Sequence, residues 1–240
     1  MGEVWVIDSG STDGTQEIAR NRGAHVLEWE WPGYAKQRQR ALSVGSHPWQ
    51  GHIDADECLS PELRDSIRRF LADPGDVSGA WVARQVVFLG RTLRWGGMRR
   101  RWFLRLVRRR DAFISIADLD EKIGAAGPTV RLRGTLIHEA RQPLRDRVRT
   151  QIRYAELHPP EPRLYRKAPR AWRALALLLY RLIIQGGLLD GLPGLAYHGL
   201  GFAVRLLRDA YREEETLRAR RSAQNEATVE ARGGAGVTRR

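Results

Sequence analysis

The opening third of the chain alternates short apolar runs with helical segments, and that rhythm restricts the fold more than any other feature. Residues 4–7 (VWVI) are apolar and mostly β-branched, which predicts a buried strand running into Asp8. Residues 24–29 (AHVLEW) predict a second strand, and residues 52–54 (HID) the end of a third. Between them, residues 15–20 predict a helix capped by Asp13 or Thr15, and residues 34–45 a helix stopped by Gly45. A third helix begins with Ser60 as cap and Pro61 at its first position, and Leu63, Ile67, Phe70 and Leu71 form its apolar face. Strand, helix, strand, helix, strand, helix implies an α/β fold with a parallel sheet covered by helices.

Beyond Pro74 the texture changes to strands separated by glycine-rich turns: GAWVARQVVFLG, RWFLRLVRRR and TVRLRGTLIHEA. A helix over 144–158 and a proline-rich basic linker follow, then two apolar segments over 171–184 and 188–207. The expected organisation is a catalytic domain over 1–145 and a helix with linker over 146–169. Amphipathic helices over 170–215 and a disordered tail over 216–240 complete it. No internal repeat is visible. Among 240 residues, 41 Lys and Arg oppose 28 Asp and Glu, a net charge of +13 that favours an anionic partner. The single cysteine, Cys58, excludes an internal disulfide and suits a reducing compartment. With no signal peptide ahead of the first strand, the expected location is the cytoplasm.

Two stretches carry chemistry. In HIDADECLSPEL, residues two apart on an extended chain point the same way, so Asp54 and Asp56 would present carboxylates to one spot. Paired carboxylates at the end of a buried strand suit a hard divalent cation that keeps positions open for phosphate. The same triplet also suits solvated acids ahead of the Ser60 helix. The loop DSGSTDGT lacks the Gly-Lys-Ser/Thr of a P-loop. Asp8 can instead accept hydrogen bonds from a ribose or a base edge, and Gly10 lets the backbone approach a ligand. An ordinary turn between strand and helix is the alternative.

Together, VIDSGSTDGT, WPGYAKQRQRAL and DADECLSPEL resemble family 2 glycosyltransferases of the GT-A fold, and within them the bacterial lipopolysaccharide-core β-glycosyltransferases. The resemblance continues through FLGRTLRWGG, RLVRR, LRGTLIHEA and GGLLDGLPGL, covering the chain to about Tyr211. It implies a Rossmann-like mixed sheet flanked by helices, with a helical, membrane-associating extension at the carboxyl end. It implies a nucleotide-sugar donor bound by Asp8, Ser9 and Gly10, with Arg38, Asp54 and Arg105 near the ribose and phosphates. Mg²⁺ or Mn²⁺ would be held by Asp56 and Asp54, with His138 as a further ligand or a diphosphate contact, a structural histidine at the strand end being the alternative. Arg38 matches a basic residue of the family, with Gln39 where Asn is usual; Arg105 is otherwise a residue of a solvated strand face. The base that deprotonates the acceptor hydroxyl for inverting displacement matches Glu121, with Asp120 second and standing where the family has His. Both acids could instead pair with Lys122 and nearby Arg. Set beside the family, the strand over 4–7 corresponds to the second of the sheet, so one strand, one helix and the first nucleotide contacts are expected ahead of it. Donor binding without them is expected to be weak.

RRRWFLRLVRRR mixes Arg with Trp and Phe, but strand burial accounts for its alternation, and no nucleic-acid partner is expected. The uncharged run over 191–204 falls short of the ~20 residues that a membrane-crossing helix needs. Arg170, Arg173 and Arg181 share a helical stripe opposite Trp172, Leu175, Leu179 and Ile183, the pattern of a helix lying on anionic lipid. Packing against the catalytic domain or a second subunit is the alternative. The expected function is an inverting transferase moving sugar to a lipid-linked glycan, peripheral on the inner face of the cell membrane. A polyprenyl-phosphate glycosyl synthase and an inactive membrane- or nucleic-acid-binding remnant are its rivals.

Overall fold

The computed structural model describes residues 2–99, 101–117, 120–139, 143–156 and 170–234. Two compact units emerge: Met1–Leu93 with Met98–Ala140, and Arg94–Gly97 with Arg141–Arg240.

In the first unit, strand β1 (Trp5–Asp8), helix α1 (Thr15–Asn21) and strand β2 (His25–Glu28) form a right-sized crossover, and β1 pairs with β2 in parallel. The cap of α1 is Gly14 in the left-handed region, not Asp13 or Thr15, although the Asp13 carboxylate accepts from the Thr15 amide at 3.1 Å. Helix α2 (Tyr34–Ser43) follows as expected, ending two residues before Gly45. The third strand is shifted. β3 covers Trp49–Gly51, and the chain then leaves the sheet and turns at Ala55–Asp56 before β4 (Glu57–Leu59). Residues 52–54 are therefore not strand, and the alternation expected to align Asp54 with Asp56 does not apply. The Glu57 amide donates to the Asp54 carbonyl at 2.9 Å, closing the turn.

Helix α3 (Pro61–Ala72) starts as the sequence dictates: the Ser60 hydroxyl accepts from the Leu63 amide at 3.2 Å, with Pro61 at the first position. Leu63, Ile67 and Phe70 pack inward, whereas Leu71, expected on that face, is exposed. Strands β5 (Gly79–Phe88), β6 (Arg91–Thr92), β7 (Arg101–Arg108), β8 (Ala112–Ala117), β9 (Asp120–Ala125) and β10 (Thr129–Glu139) complete the unit. The main sheet runs β3-β7-β5-β10-β4, with β6 on β5. It is mixed: β5 and β10 are parallel, while β3–β7, β7–β5 and β10–β4 are antiparallel. The helix-covered parallel sheet read from the alternation thus gives way to an α/β unit with a mixed sheet. Hairpin crossings after Pro74 supply antiparallel neighbours that the first third of the chain does not foreshadow.

The sheet residues divide between two cores, and a register shift of β7 against Ala80 and Trp81 sends Leu104 and Leu106 to different ones. Ala80, Val82, Leu106, Leu132 and Leu136 meet Leu63 of α3 on one face. On the other, Leu104 and Val107 meet Ile123, Ile114 and Leu42. Eight buried Val, Leu and Ile side chains, at about 1.5–3 kcal/mol each, make up these two cores. Gly134 allows one close approach: its φ is +87°, and a Cβ there would lie 2.3 Å from the Leu63 amide nitrogen.

The second unit is helical: α4 (Leu144–Glu156), α5 (Arg170–Leu179) and α6 (Gly191–Gly234), with α4 and α5 both packed on α6. A π turn (Tyr180–Ile184) and a 3₁₀ turn (Gly187–Asp190) join α5 to α6. Helix α6 runs through most of the segment expected as a disordered tail. Arg, Glu and Ala there are strong helix formers, and pairs such as Arg218–Glu214 (2.6 Å) lie one turn apart. The loop Arg94–Gly97 belongs to this unit. Buried Asp190 accepts from the amides of Arg94 (3.0 and 3.1 Å) and Trp95 (2.9 Å), so RWGG and GGLLDGLPGL meet in space.

Candidate active site

Two loops of the first unit collect the expected polar residues. The first follows β1. Asp8 is only 5% exposed, and its Oδ2 accepts from the amides of Gly10 and Ser11 (both 2.9 Å) and from Gln16 Nε2 (2.8 Å). Hydrogen bonds from Ser11, supported by Gln16 and Gly10, hold its pKa near 2 despite burial. Asp8 is therefore a fixed negative charge at the end of the strand. Gly10 has φ +88° with open space where a Cβ would stand, so the backbone is accessible.

The second loop carries Asp54 and Asp56, and the structure gives them different partners. Asp54 Oδ2 accepts from Arg105 Nη2 at 2.8 Å, and Asp54 Oδ1 lies 3.8 Å from Arg38. Burial pushes the Asp54 carboxyl up, but the hydrogen bond and charge of Arg105, with Arg38 and Arg84, outweigh it and leave the pKa lowered. Asp56 is more exposed, and its Oδ2 lies 3.4 Å from His138 Nε2. The Glu139 amide donates to the Asp56 carbonyl at 3.2 Å, which fixes the turn against β10.

Arg105 corrects the expectation of a solvated strand face. It is 4% exposed on β7, and its Nη2 donates to both oxygens of Glu57 at 2.6 and 2.7 Å. Arg84 Nη1 stands 3.7 Å from the same carboxylate. Glu57 also accepts from the Asp54 amide at 3.0 Å, so one buried carboxylate ties the sheet to the turn. Glu57, Arg84 and half-buried His52 escaped the sequence reading. The available signal was a lone Arg inside the apolar strands GAWVARQVVF and RWFLRLVR, because a guanidinium between buried neighbours requires a buried acid. Three guanidiniums (Arg38, Arg84, Arg105) face two carboxylates (Asp54, Glu57) in this cluster, an excess of positive charge.

Helix α2 joins the two loops with consecutive residues. Gln37 Nε2 donates to Ser9 Oγ at 3.1 Å, and Arg38 reaches Asp54. Asp8, Ser9, Gly10, Arg38, Asp54 and Arg105 thus belong to one connected network, and Asp56, at the same turn as Asp54, pairs with His138. Asp120 and Glu121 lie on β9 opposite Ala117 and Ile116, and their side chains fall outside the described residues. Among the described residues, no three His, Cys, Asp or Glu side chains gather to hold a metal. A cation would find Asp56 and His138, an oxygen and a nitrogen donor, and would need the rest of its shell from elsewhere, as phosphate oxygens can provide. Asp54, expected as a ligand, has one oxygen committed to Arg105.

An α/β unit whose Asp8 loop and Asp54 turn meet guanidiniums from α2, β5 and β7 beside a mixed sheet offers a polar, charged site of the kind α/β folds use to bind ligands. The chain belongs to glycosyl transferase family 2, whose family model matches residues 2–122, and it is accordingly a glycosyltransferase. It is 30% identical over 196 residues to the "Lipopolysaccharide core biosynthesis glycosyltransferase LpsC" of Rhizobium meliloti, a match covering 78% of this chain and 73% of that protein. Uncharacterized glycosyltransferases of Rickettsia prowazekii and Rickettsia felis are 48% and 47% identical over 65 and 72 residues. Those matches cover 27% and 30% of this chain, and 22% and 25% of theirs.

Proposed function

We propose that the chain transfers a sugar from a nucleotide-sugar donor to a lipid-linked glycan of the lipopolysaccharide-core type, with inversion, at the cytoplasmic surface of the membrane. The observation that carries this reading is the bridge made by Gln37 and Arg38, which holds the Asp8 loop and the Asp54 turn together. Asp8, ionised and fixed, offers negative charge to the N–H and O–H donors of a nucleoside. Arg38 sits beside the Asp54 turn with its side chain 31% exposed, able to swing toward a diphosphate without losing a short hydrogen bond. Arg105 and Glu57, both buried, hold the turn in place.

Asp56 and His138 are the residues that would hold Mg²⁺ or Mn²⁺. When bound, the ion supplies positive charge to the nucleoside diphosphate as it leaves. Glu121, with Asp120 beside it on β9, is the candidate base for the acceptor hydroxyl, taking its proton as the new glycosidic bond forms. The likeness to the Rhizobium protein supports a core-glycan acceptor. The excess of basic residues supports an anionic membrane as the place where it is met.

The test is transfer from a panel of nucleotide sugars, with Mn²⁺, to detergent-dispersed core lipid and separately to polyprenyl phosphate. Asp56→Ala, at an exposed position, is expected to keep the fold and lose transfer by about 100-fold or more. Full transfer by Asp56→Ala from every donor would overturn the metal-assisted reading. Transfer to polyprenyl phosphate alone would replace the glycan acceptor.

A further inference from the structure

The turn between α5 and α6 presents a cluster of exposed apolar side chains. Ile183, Ile184, Leu188, Leu189 and Leu192 are each between 53% and 73% exposed, and Trp172 on the preceding helix is 68% exposed. Scattered exposed apolar residues are ordinary, but five large ones within ten positions of one bend are not. The surface is also free of charge. Across residues 182–204 the single ionisable acid is Asp190, which is buried with its carboxylate bonded to the Arg94 and Trp95 amides. The one histidine of that run, His198, is buried as well, packed against Gly96 and Gly187. Basic residues bracket the run, with Arg181 before it and Arg205 and Arg208 after it.

The shape matters as much as the composition. No single described helix is long and apolar enough to cross a membrane. Trp172–Ile184 and Gly187–Ser222 meet the length and hydropathy needed only as a pair, and they are bent by 70° at the break. The bend is built in: Gly186 has φ +70° and Gly191 φ +67°, conformations that side chains resist, and Asp190 locks the turn to the Arg94–Gly97 loop. A helix lying flat on lipid would put its apolar face down and its arginines at the headgroups; α5 offers that face, with Trp172 and Leu179 open and Arg173 half-buried, and the bend carries the same apolar surface on through Ile183 to Leu192.

We propose that this elbow is a re-entrant wedge: its tip, Ile183 to Leu192, enters the hydrocarbon of an anionic phospholipid leaflet and returns on the same side, with the bracketing arginines at the phosphates. An uncharged apolar tip framed by cations matches the layering of a leaflet, apolar within and anionic at its surface. The inference rests on the membrane-surface acceptor proposed above, and it names the segment that makes the contact and how deep that segment goes.

The chain's single cysteine makes the test direct. In a Cys58→Ser background of the full chain, Ile184→Cys, Leu189→Cys and Arg218→Cys each carry an environment-sensitive fluorophore. Vesicles contain phosphatidylglycerol with phosphatidylcholine, or phosphatidylcholine alone, with nitroxides placed either in the acyl chain or at the headgroup. The expected result is flotation with the anionic vesicles, quenching at positions 184 and 189 by acyl-chain nitroxides, and no such quenching at 218. Ile184→Asp with Leu188→Asp, both at exposed sites, is expected to lower vesicle partitioning about 100-fold while leaving the thermal melt in place. Flotation with labels 184 and 189 still in water overturns the wedge. So does burial of those labels in a vesicle-free dimer, which would assign the tip to a second copy of the chain. Transfer to detergent-dispersed acceptor needs no bilayer, so the glycosyltransfer reading is scored separately from the wedge.

Discussion

Glu57 offers the sharpest energetic test of the site. Its carboxylate is fully buried and receives Arg105 Nη2 at 2.6 and 2.7 Å, with Arg84 Nη1 at 3.7 Å and the Asp54 amide at 3.0 Å. Glu57→Gln keeps the size and one carbonyl acceptor but removes the charge opposite a buried guanidinium. Removing one partner of a buried ion pair costs about 3–5 kcal/mol, because the other charge stays out of water. Asp54 still reaches Arg105 at 2.8 Å, which retains part of the pairing and places the expected loss at about 2–3 kcal/mol. For a chain of this size that corresponds to a fall of about 4–12 °C in the melting temperature. Calorimetry or a circular-dichroism melt of Glu57→Gln, Arg105→Gln and the double variant reads it directly. The double variant removes both charges together, so it should be more stable than the sum of the single losses by about 2 kcal/mol. A Glu57→Gln melt within 1 °C of the parent, or strictly additive losses, would refute the claim that this pair holds the Asp54 turn to the sheet.

Two further outcomes follow from the same coordinates. His52 is half-buried, and its desolvation, followed by the charges of Arg105 and Arg38, pulls its pKa from 6.5 to about 4. The unfolded chain therefore takes up the proton first, so stability is complete above pH 6.5 and declines as pH falls toward 4, by on the order of 3 kcal/mol. Urea midpoints at pH 7 and pH 4.5 should differ far less in His52→Gln; an unchanged pH slope in that variant would assign the decline to other groups. Gly134→Ala combines a φ of +87° with a Cβ 2.3 Å from a backbone nitrogen of α3, so the helix or the strand must shift. The expected loss is about 3 kcal/mol or more, measured by the same melt, and a change below about 1 kcal/mol would mean that the α3–β10 approach is looser than it stands.

Much of the local structure was legible because it is written in neighbouring residues. Ser60 and Pro61 begin a helix through one hydroxyl and one fixed φ, and Leu63, Ile67 and Phe70 recur at helical spacing whatever lies across from them. The strands β5, β7 and β10 were readable for the same reason, as was the Asp54–Asp56 turn as a place of interest. The shift of β3 by a few residues was not, because short apolar runs do not say where pairing stops. Nor was the exposure of the α5–α6 bend: a hydropathy pattern reports that one face is apolar and leaves open what covers it.

The sequence by itself determined the α/β class, the Ser60 cap of α3, the inward face of Leu63, Ile67 and Phe70 and, through its ordered motifs, the family. The tertiary structure alone decided the strand order of the mixed sheet, that Arg105 is a buried strut, and that Glu57 and not the solvent is its partner. It also decided that Asp54 and Asp56 look to different residues. The physical reason is range. Caps and periodicity act within one or two turns of chain, whereas the Arg105–Glu57 pair spans 48 positions and the Gln37–Ser9 bond spans 28. Contacts at those separations form only when the sheet brings them together, and a sheet's strand order is not encoded in any one strand.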